Sequence, residues 1–145
     1  MIFLDVDGVL NRTGFQPADS VGLRSWIEAE PAARLAEVIA ATGAGIVLSS
    51  DWRRDREIED LREELVAAGV ECVLVGTTPV LGGPRWREIE AWMVEHQVPR
   101  ESIVIIDDAF DMGPLSERFV RTRPSSGLDE DAVQAIIELF RDLEM

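Results

Sequence analysis

The sequence predicts an α/β fold, with three α/β/α layers around a mostly parallel sheet. Short apolar runs alternate along the chain with longer segments in which apolar residues recur at helical spacing. The short runs are apolar on both faces, which is typical of parallel strands covered by helices on both sides. At 145 residues the chain is long enough to bury a core, so we expect one Rossmann-like domain over 1–145.

The strands are predicted from apolar runs that end at glycine or at polar residues. The most apolar run is Ile103–Ile106, and Phe119–Arg121 is expected only as a short edge strand. Cys72 is the single cysteine, and we expect it as a small buried apolar side chain. In chain order the predicted strands are Ile2–Asp5, Ile46–Leu48, Val70–Val75, Ile103–Ile106 and Phe119–Arg121.

The helices are predicted from apolar residues spaced three and four apart. Gly69 follows the second of them as a C-terminal cap. Residues 11–31 are expected as an irregular flap or loop insertion, and Gly76–Pro84 as a loop. The predicted helices are Ala32–Thr42, Asp55–Ala68, Arg85–His96 and Asp129–Leu143.

Charge and composition exclude several classes of function. The formal net charge of −14 argues against an extended nucleic-acid footprint and against binding to an anionic membrane. No apolar run is long enough to span a bilayer, and Met1 opens a strand rather than a signal segment, so we expect a cytoplasmic protein. The chain contains no lysine. Arginine must therefore serve wherever a cationic side chain is needed.

Polar residues follow the predicted strands at the edge where parallel sheets bind ligands. A regular strand would point Asp5 and Asp7 to one face, and Gly8 lets the chain turn sharply there. Two close carboxylates repel each other unless a cation or a shared proton offsets the charge, and Mg²⁺ is the usual cation. The other polar residues at this edge are Ser49, Ser50, Asp51, Arg85, Asp107, Asp108 and Asp111. Together they indicate a site for phosphate and metal.

Four motifs resemble those of the haloacid dehalogenase (HAD) superfamily of phosphohydrolases. They are Asp5-Val-Asp-Gly-Val-Leu10, Ile46-Val-Leu-Ser49, Arg85 and Ile103-Val-Ile-Ile-Asp-Asp108. Three segments are similar, more narrowly, to the small HAD domains associated with RNA-repair proteins. They are Leu4–Asn11, Leu48-Ser-Ser-Asp-Trp-Arg53 and Arg85-x-x-Glu-Ile89.

The resemblance implies an HAD-like fold and a Mg²⁺-dependent phosphatase that works through an aspartyl-phosphate. Asp5 would be the nucleophile and a metal ligand. Asp7 would protonate the leaving oxygen and then activate water, while its backbone carbonyl reaches the metal. Ser49 would donate a hydrogen bond to the phosphoryl group, with Ser50 as the alternative.

The remaining roles follow from the same resemblance. Arg85 would neutralise the phosphoryl group and Asp5, where many relatives use lysine. Asp107 and Asp108 would hold the metal, and which of them binds it directly is left open, as is a role for Asp111. Candidates for contact with the substrate are Gly8, Ser50, Asp51 and Arg53, with Asn11 and Arg12 at the rim. Trp26, Trp86 and Trp92 are expected in packing, with stacking on a base or sugar as the alternative for Trp86.

The spacing of the motifs leaves no room for a folded cap domain. We therefore expect an uncapped or minimally capped site, covered at most by 11–31. Open sites in this superfamily tend to take bulky substrates, so the expected partner is a phosphorylated nucleic-acid end, with a small phosphometabolite as another candidate. One alternative is an HAD-fold binding or regulatory module with weak catalysis. Another is a receiver-type signalling domain, but such domains use a lysine that this chain lacks.

Overall fold

A computed structural model describes residues 1–19 and 22–142, and it contains a five-stranded sheet flanked by helices. The strand order is β3-β2-β1-β4-β5, and every neighbouring pair is parallel. The strands are β1 (Ile2–Leu4), β2 (Ile46–Leu48), β3 (Leu74–Thr77), β4 (Val104–Asp107) and β5 (Phe119–Arg121). The helices are α1 (Ala29–Thr42), α2 (Ile58–Ala67), α3 (Arg85–His96) and α4 (Glu130–Asp142).

The sheet is covered on both faces, as its apolar strands predict. Alternate residues of a strand point to opposite faces. Ile2 and Leu4 of β1 therefore pack with residues of α1, α2 and α4, whereas Phe3 packs with α3. All three side chains are fully buried. The three-layer α/β/α prediction is confirmed.

The register of the central strands aligns their carboxyl ends. Leu4 of β1 pairs with Leu48 of β2 on one side and with Ile106 of β4 on the other. Asp5 N–H continues the ladder by donating to the Ile106 carbonyl at 3.0 Å, and Ser49 N–H donates to the Leu4 carbonyl at 2.8 Å. The residues after β1, β2 and β4 are thereby brought to one edge.

The third strand differs most from its prediction. Val70–Val75 was expected, but pairing with β2 begins at Leu74 and continues through Thr77. Val70 N–H donates to a carbonyl in the last turn of α2 at 2.9 Å. The intervening Gly69 has a φ of 92°, so the start of the apolar run forms the C-terminal cap of α2 and not a strand. The predicted loop consequently begins after Thr77. Cys72 is only partly buried.

The other strand limits shift by one residue or not at all. β1 ends at Leu4 rather than Asp5, and β4 runs from Val104 to Asp107 rather than from Ile103 to Ile106. The predicted limits of β2 and β5 are confirmed.

Local backbone chemistry explains the shifted helix limits. α1 begins at Ala29, three residues before its predicted start. Pro31 is tolerated in the first turn because backbone N–H groups there have no partner within the helix. α2 begins at Ile58, since Asp55 has a φ of 56° and cannot continue a helix. The predicted limits of α3 are confirmed. Asp129 caps α4 by accepting from Ala132 N–H at 2.9 Å, and the predicted end at Leu143 lies outside the described residues.

The segment before α1 is anchored to the domain. A short 3₁₀ helix, Leu23–Trp26, buries Leu23 in the core. The backbone N–H of Arg24 donates to Glu64 of α2 at 2.7 Å. Within the predicted flap, Ser20 and Val21 lie outside the described residues, and 29–31 belong to α1. The single-domain and flap assignments stay predictions. No described helix has the length and apolar character needed to cross a membrane.

Candidate active site

Three carboxylates converge where β1 and β4 end. Asp5, Asp107 and Asp108 each offer an oxygen, and these oxygens lie within 4.8 Å of one another. Asp5 is 7% exposed and Asp107 only 3%, while Asp108 is half-buried. The parallel register brings the first and fourth motifs together, as the sequence predicts. A buried acidic cluster of this kind needs compensating positive charge.

Burial raises the pKa of two of these acids. The pKa of Asp5 rises to about 8, mainly because the carboxyl is buried and then because Asp107 repels the charged form; Arg85 acts in the opposite direction. The pKa of Asp107 rises to about 6, again mainly through burial, and the Ala109 N–H and Arg85 oppose the rise. A bound cation would remove this penalty.

One oxygen of Asp107 indicates where such a cation fits. Asp107 Oδ1 accepts from Ala109 N–H at 3.0 Å. Asp107 Oδ2 is buried and has no hydrogen-bond partner among the described residues. Arg85 Nε lies 3.9 Å from it, too far for a hydrogen bond. An unpaired buried carboxylate oxygen is costly, and an all-oxygen set of carboxylates suits Mg²⁺. The three residues therefore fit the ion.

Asp7 does not join this cluster through its side chain. β1 ends before Asp5, so the expected shared strand face is not formed, and the Asp7 side chain is exposed. Asp7 Oδ1 accepts from Asn11 Nδ2 at 2.9 Å. Its roles as proton donor and as a metal ligand through its carbonyl stay predictions.

Asn11 organises the loop that carries Asp7, a role that sequence reasoning missed. We expected a rim residue, but Asn11 is buried. Its Oδ1 accepts from Gly8 N–H at 3.0 Å, and its Nδ2 also donates to the Trp26 carbonyl at 2.8 Å. The spacing of Asn11 three residues after Gly8 is a signal for such a side-chain-to-backbone turn.

Gly8 lets the loop pass close to Asp108. Its φ is 82°, and a Cβ there would lie 2.2 Å from Asp108 Oδ2. The Gly8 carbonyl accepts from Thr122 Oγ1 at 2.8 Å, while Thr122 N–H donates to the Asp107 carbonyl at 2.9 Å. Thr122 was also missed, although it directly follows β5 at the same edge. The predicted contact of Gly8 with substrate stays a prediction.

Arg85 and the two serines lie at the end of β2. Arg85 Nη1 donates to the Ser49 carbonyl, which holds the guanidinium near Asp107. Ser49 Oγ accepts from Thr78 Oγ1 at 3.5 Å. Ser50 Oγ accepts from Trp52 N–H at 3.3 Å and so caps the 3₁₀ helix Asp51–Arg53. Each serine hydroxyl keeps its own proton for donation, so the choice between them stays open.

Arg53 is placed differently from our expectation of a substrate contact. Its side chain is 2% exposed and pairs with Glu88 of α3 at 2.9 Å. The guanidinium also donates to the carbonyls of Ser50, Thr78 and Pro79 at 2.7, 2.8 and 3.2 Å. These bonds tie the end of β2 to the loop after β3. A direct contact between Arg53 and substrate would require them to break.

The remaining candidates have local partners. Arg12 forms an ion pair with Glu28 at 2.9 Å, and Asp51 forms one with Arg54 at 3.5 Å. Both pairs lie at the surface. Asp111 accepts from Gly113 N–H at 3.0 Å, which accounts for an acid in that turn. Trp86 packs closely on Gly113, where a Cβ would lie 2.8 Å from its Nε1, in agreement with the predicted packing role.

Comparison with known proteins extends over nearly the whole chain. Residues 1–133 match the model of a family described as HAD domain in Swiss Army Knife RNA repair proteins. This match includes all four motifs and ends within α4. A search of curated proteins found no match.

The raised pKa of Asp5 predicts that the free energy of unfolding of metal-free protein falls as pH rises. Between about pH 4 and pH 8 the folded state holds the proton that the unfolded state has lost, so this group lowers the free energy of unfolding as pH rises. In EDTA, Asp5→Asn should therefore be more stable than wild type, with an advantage that grows toward pH 8. Thermal unfolding across this range measures the difference, and Mg²⁺ should raise the Tm of wild type much more than that of the variant. An advantage that shrinks with pH would contradict this account.

The buried Arg53–Glu88 pair predicts a large structural cost of substitution. Arg53→Met should lower the free energy of unfolding by about 3–5 kcal/mol, because Glu88 is left buried and unpaired. Arg54→Met, which breaks an exposed pair with Asp51, is the matched control and should cost less than about 1 kcal/mol. Urea unfolding measures both values. Equal stabilities of the two variants would restore Arg53 as a candidate for substrate contact.

Proposed function

The chain belongs to the family of HAD domains in Swiss Army Knife RNA repair proteins, and on that premise we propose that it is a Mg²⁺-dependent phosphatase. It hydrolyses phosphomonoesters through an aspartyl-phosphate on Asp5. The observation that carries the proposal is the buried group of Asp5, Asp107 and Asp108 beside Arg85. This group combines a nucleophile, a set of metal ligands and a phosphate-binding cation at one edge of the sheet.

The first half-reaction transfers the phosphoryl group to the protein. An Asp5 carboxylate oxygen attacks phosphorus, and the bond from phosphorus to the ester oxygen breaks in line with it. Asp7 donates its proton to the leaving oxygen, so the alcohol departs neutral. Asn11 holds the Asp7 carboxyl through its 2.9 Å hydrogen bond and thereby fixes the position of the acid.

The second half-reaction returns the enzyme to its starting state. Asp7, now ionised, removes a proton from water, whose oxygen attacks the phosphorus of the aspartyl-phosphate. The bond between phosphorus and Asp5 breaks, and inorganic phosphate and the Asp5 carboxylate are released. Arg85 and a serine hydroxyl, from Ser49 or Ser50, stabilise the phosphoryl oxygens in both steps.

Asp5, Asp107 and Asp108 would hold Mg²⁺, with a further contact from the Asp7 carbonyl. When bound, the ion would withdraw charge from the transferring phosphoryl group and keep Asp5 ionised. The buried Asp107 Oδ2, which lacks a hydrogen bond among the described residues, supports this assignment.

The substrate we propose is a terminal phosphate on a nucleic acid or another bulky phosphorylated molecule, contacted locally. Between β1 and α1 the described residues form only one short 3₁₀ helix, Leu23–Trp26, and this lack of a cap supports a site that is open to a large substrate. The net charge of −14 disfavours a long nucleic-acid footprint. The strand order 3-2-1-4-5 differs from the 2-1-3-4-5 order of receiver domains and argues against a phosphoacceptor switch.

Turnover of p-nitrophenyl phosphate tests the proposal. Purified protein should hydrolyse it with Mg²⁺ and not with EDTA. Asp5→Asn should reduce kcat by about 10³-fold or more, since the amide is a poor nucleophile and a poor metal ligand.

Asp131→Asn is the matched control for this experiment, because Asp131 is an exposed aspartate on α4. It should leave the rate unchanged. Metal-independent turnover, or Asp5→Asn with near wild-type activity, would rule out the proposed chemistry.

A further inference from the structure

A depression lies directly beside Asp7, on the β2 side of the site. It has a volume of about 270 Å³ and is lined by Asp7, Asp51, Trp52, Arg54 and Arg56. The carboxylate cluster of Asp5, Asp107 and Asp108 does not line it. The depression therefore adjoins the predicted proton donor, Asp7.

An aromatic–arginine pair forms part of this depression. Arg56 Cζ lies 5.0 Å from the centroid of the Trp52 ring, within the range of a cation–π contact. Arg54 is paired with Asp51, but no carboxylate of the described residues lies within ion-pair distance of Arg56. In a chain of net charge −14, this leaves a cationic group without an ion pair and a flat ring beside Asp7.

Trp52, the aromatic member of this pair, is held in place by its neighbours. Trp52 belongs to the 3₁₀ helix Asp51–Arg53, and its N–H donates to Ser50 Oγ. Part of the Trp52 ring packs against the core. The next residue, Arg53, is buried and joins the end of β2 to the loop after β3 through its hydrogen bonds. Because these contacts hold Trp52 in place, little ordering entropy is lost when a ligand stacks on its ring.

The position of the proton donor fixes the direction of the leaving group. Asp7 must lie within hydrogen-bond reach of the leaving oxygen. The group attached to that oxygen must then extend past Asp7, and the depression with Trp52 and Arg56 lies there. Planar rings stack on tryptophan and on arginine guanidinium, and phosphates of a continuing strand are attracted to the cation.

We propose that Trp52 and Arg56 form the leaving-group subsite of this enzyme, and that the subsite stacks on the nucleobase of the nucleotide that bears the scissile phosphate. The inference rests on the proposed phosphatase function. It adds the residues that determine specificity, since a leaving group without a planar ring gains nothing from them.

A second aromatic–arginine pair provides an internal control. Phe110 is 87% exposed, and Arg121 Cζ lies 4.5 Å from its ring centroid. Phe110 follows β4 and Arg121 is the last residue of β5, so this pair lies on the opposite side of β1 from Trp52. It has the same chemistry but does not line the depression beside Asp7.

The test compares substrates with and without a base in wild type and variants. We would measure kcat/KM for adenosine 3′-monophosphate, adenosine 5′-monophosphate, glycerol 2-phosphate and a phosphoserine peptide. At least one adenosine phosphate should be preferred over glycerol 2-phosphate. Trp52→Ala and Arg56→Ala should each reduce that preference, for Trp52→Ala by about tenfold or more, as expected from base stacking. Their rates on glycerol 2-phosphate should stay within about twofold of wild type.

Two further variants separate stacking from folding. Trp52→Phe keeps a ring and should restore most of the preference, whereas Phe110→Ala should not alter it. The subsite assignment is overturned if wild type prefers glycerol 2-phosphate or the phosphoserine peptide. It is also overturned if Phe110→Ala removes the preference while Trp52→Ala and Arg56→Ala keep it.

A binding measurement keeps the inference distinct from the proposed function. In Asp5→Asn protein with Mg²⁺, adenosine 3′- or 5′-monophosphate should shift the indole N–H resonance of Trp52, assigned by its loss in Trp52→Phe. Glycerol 2-phosphate should not shift it. If no phosphate ester is turned over but this shift occurs, the phosphatase proposal fails, and Trp52 and Arg56 stand as a site that binds a nucleobase but not as a leaving-group subsite. Turnover without the shift sustains the phosphatase proposal and removes the subsite.

Discussion

The burial of converging carboxylates at the end of the central strands, together with their mutual repulsion, is the constraint on which this site depends. Parallel pairing of β1 with β4 brings Asp5 beside Asp107 and Asp108, in a place that burial shields from water. The charge of Arg85 opposes this effect and lowers the pKa of Asp5. Protons or a cation must supply the rest of the compensation. The fold thereby retains a group of mutually repelling acids, which is the arrangement that the proposed phosphatase function requires.

Short polar contacts hold this group together from both sides. On the β4 side, Thr122 joins the Asp107 backbone to Gly8, and Asn11 ties Gly8 to Asp7. On the β2 side, Arg53 and Glu88 form a buried pair between the strand end and α3. Of these residues, Asn11 alone contacts a carboxylate with a proposed role in the reaction, at Asp7 Oδ1. Such support is what keeps a functional geometry fixed.

Sequence patterns predicted the architecture, and they predicted that Asp5 would lie near Asp107 and Asp108, for reasons that are physical. Buried parallel strands must be apolar on both faces, and ligands lie beyond their carboxyl ends, so the strand-end residues were identified directly. The limits of β3 were not predicted correctly, because Val70 is apolar but forms part of the C-terminal cap of α2. Apolar character alone does not distinguish a strand from a helix exit.

The roles of individual polar residues were harder to predict. Arg53 is in the same basic run as Arg54 and Arg56. Only the tertiary structure shows that it forms a buried ion pair with Glu88, thirty-five positions along the chain. Thr122 likewise acts through a distant backbone group, the Gly8 carbonyl, that no motif reveals. Long-range pairing of this kind depends on packing, and local sequence does not encode it.

Direct trapping of the covalent intermediate tests the central claim. The protein would be mixed with Mg²⁺ and a phosphomonoester, quenched in acid within milliseconds, reduced with borohydride and cleaved at arginine. The account predicts homoserine at position 5 in the peptide Met1–Arg12, formed only with substrate and absent from Asp5→Asn. Hydrolysis that proceeds with the modification at another residue, or with none at Asp5, would contradict it.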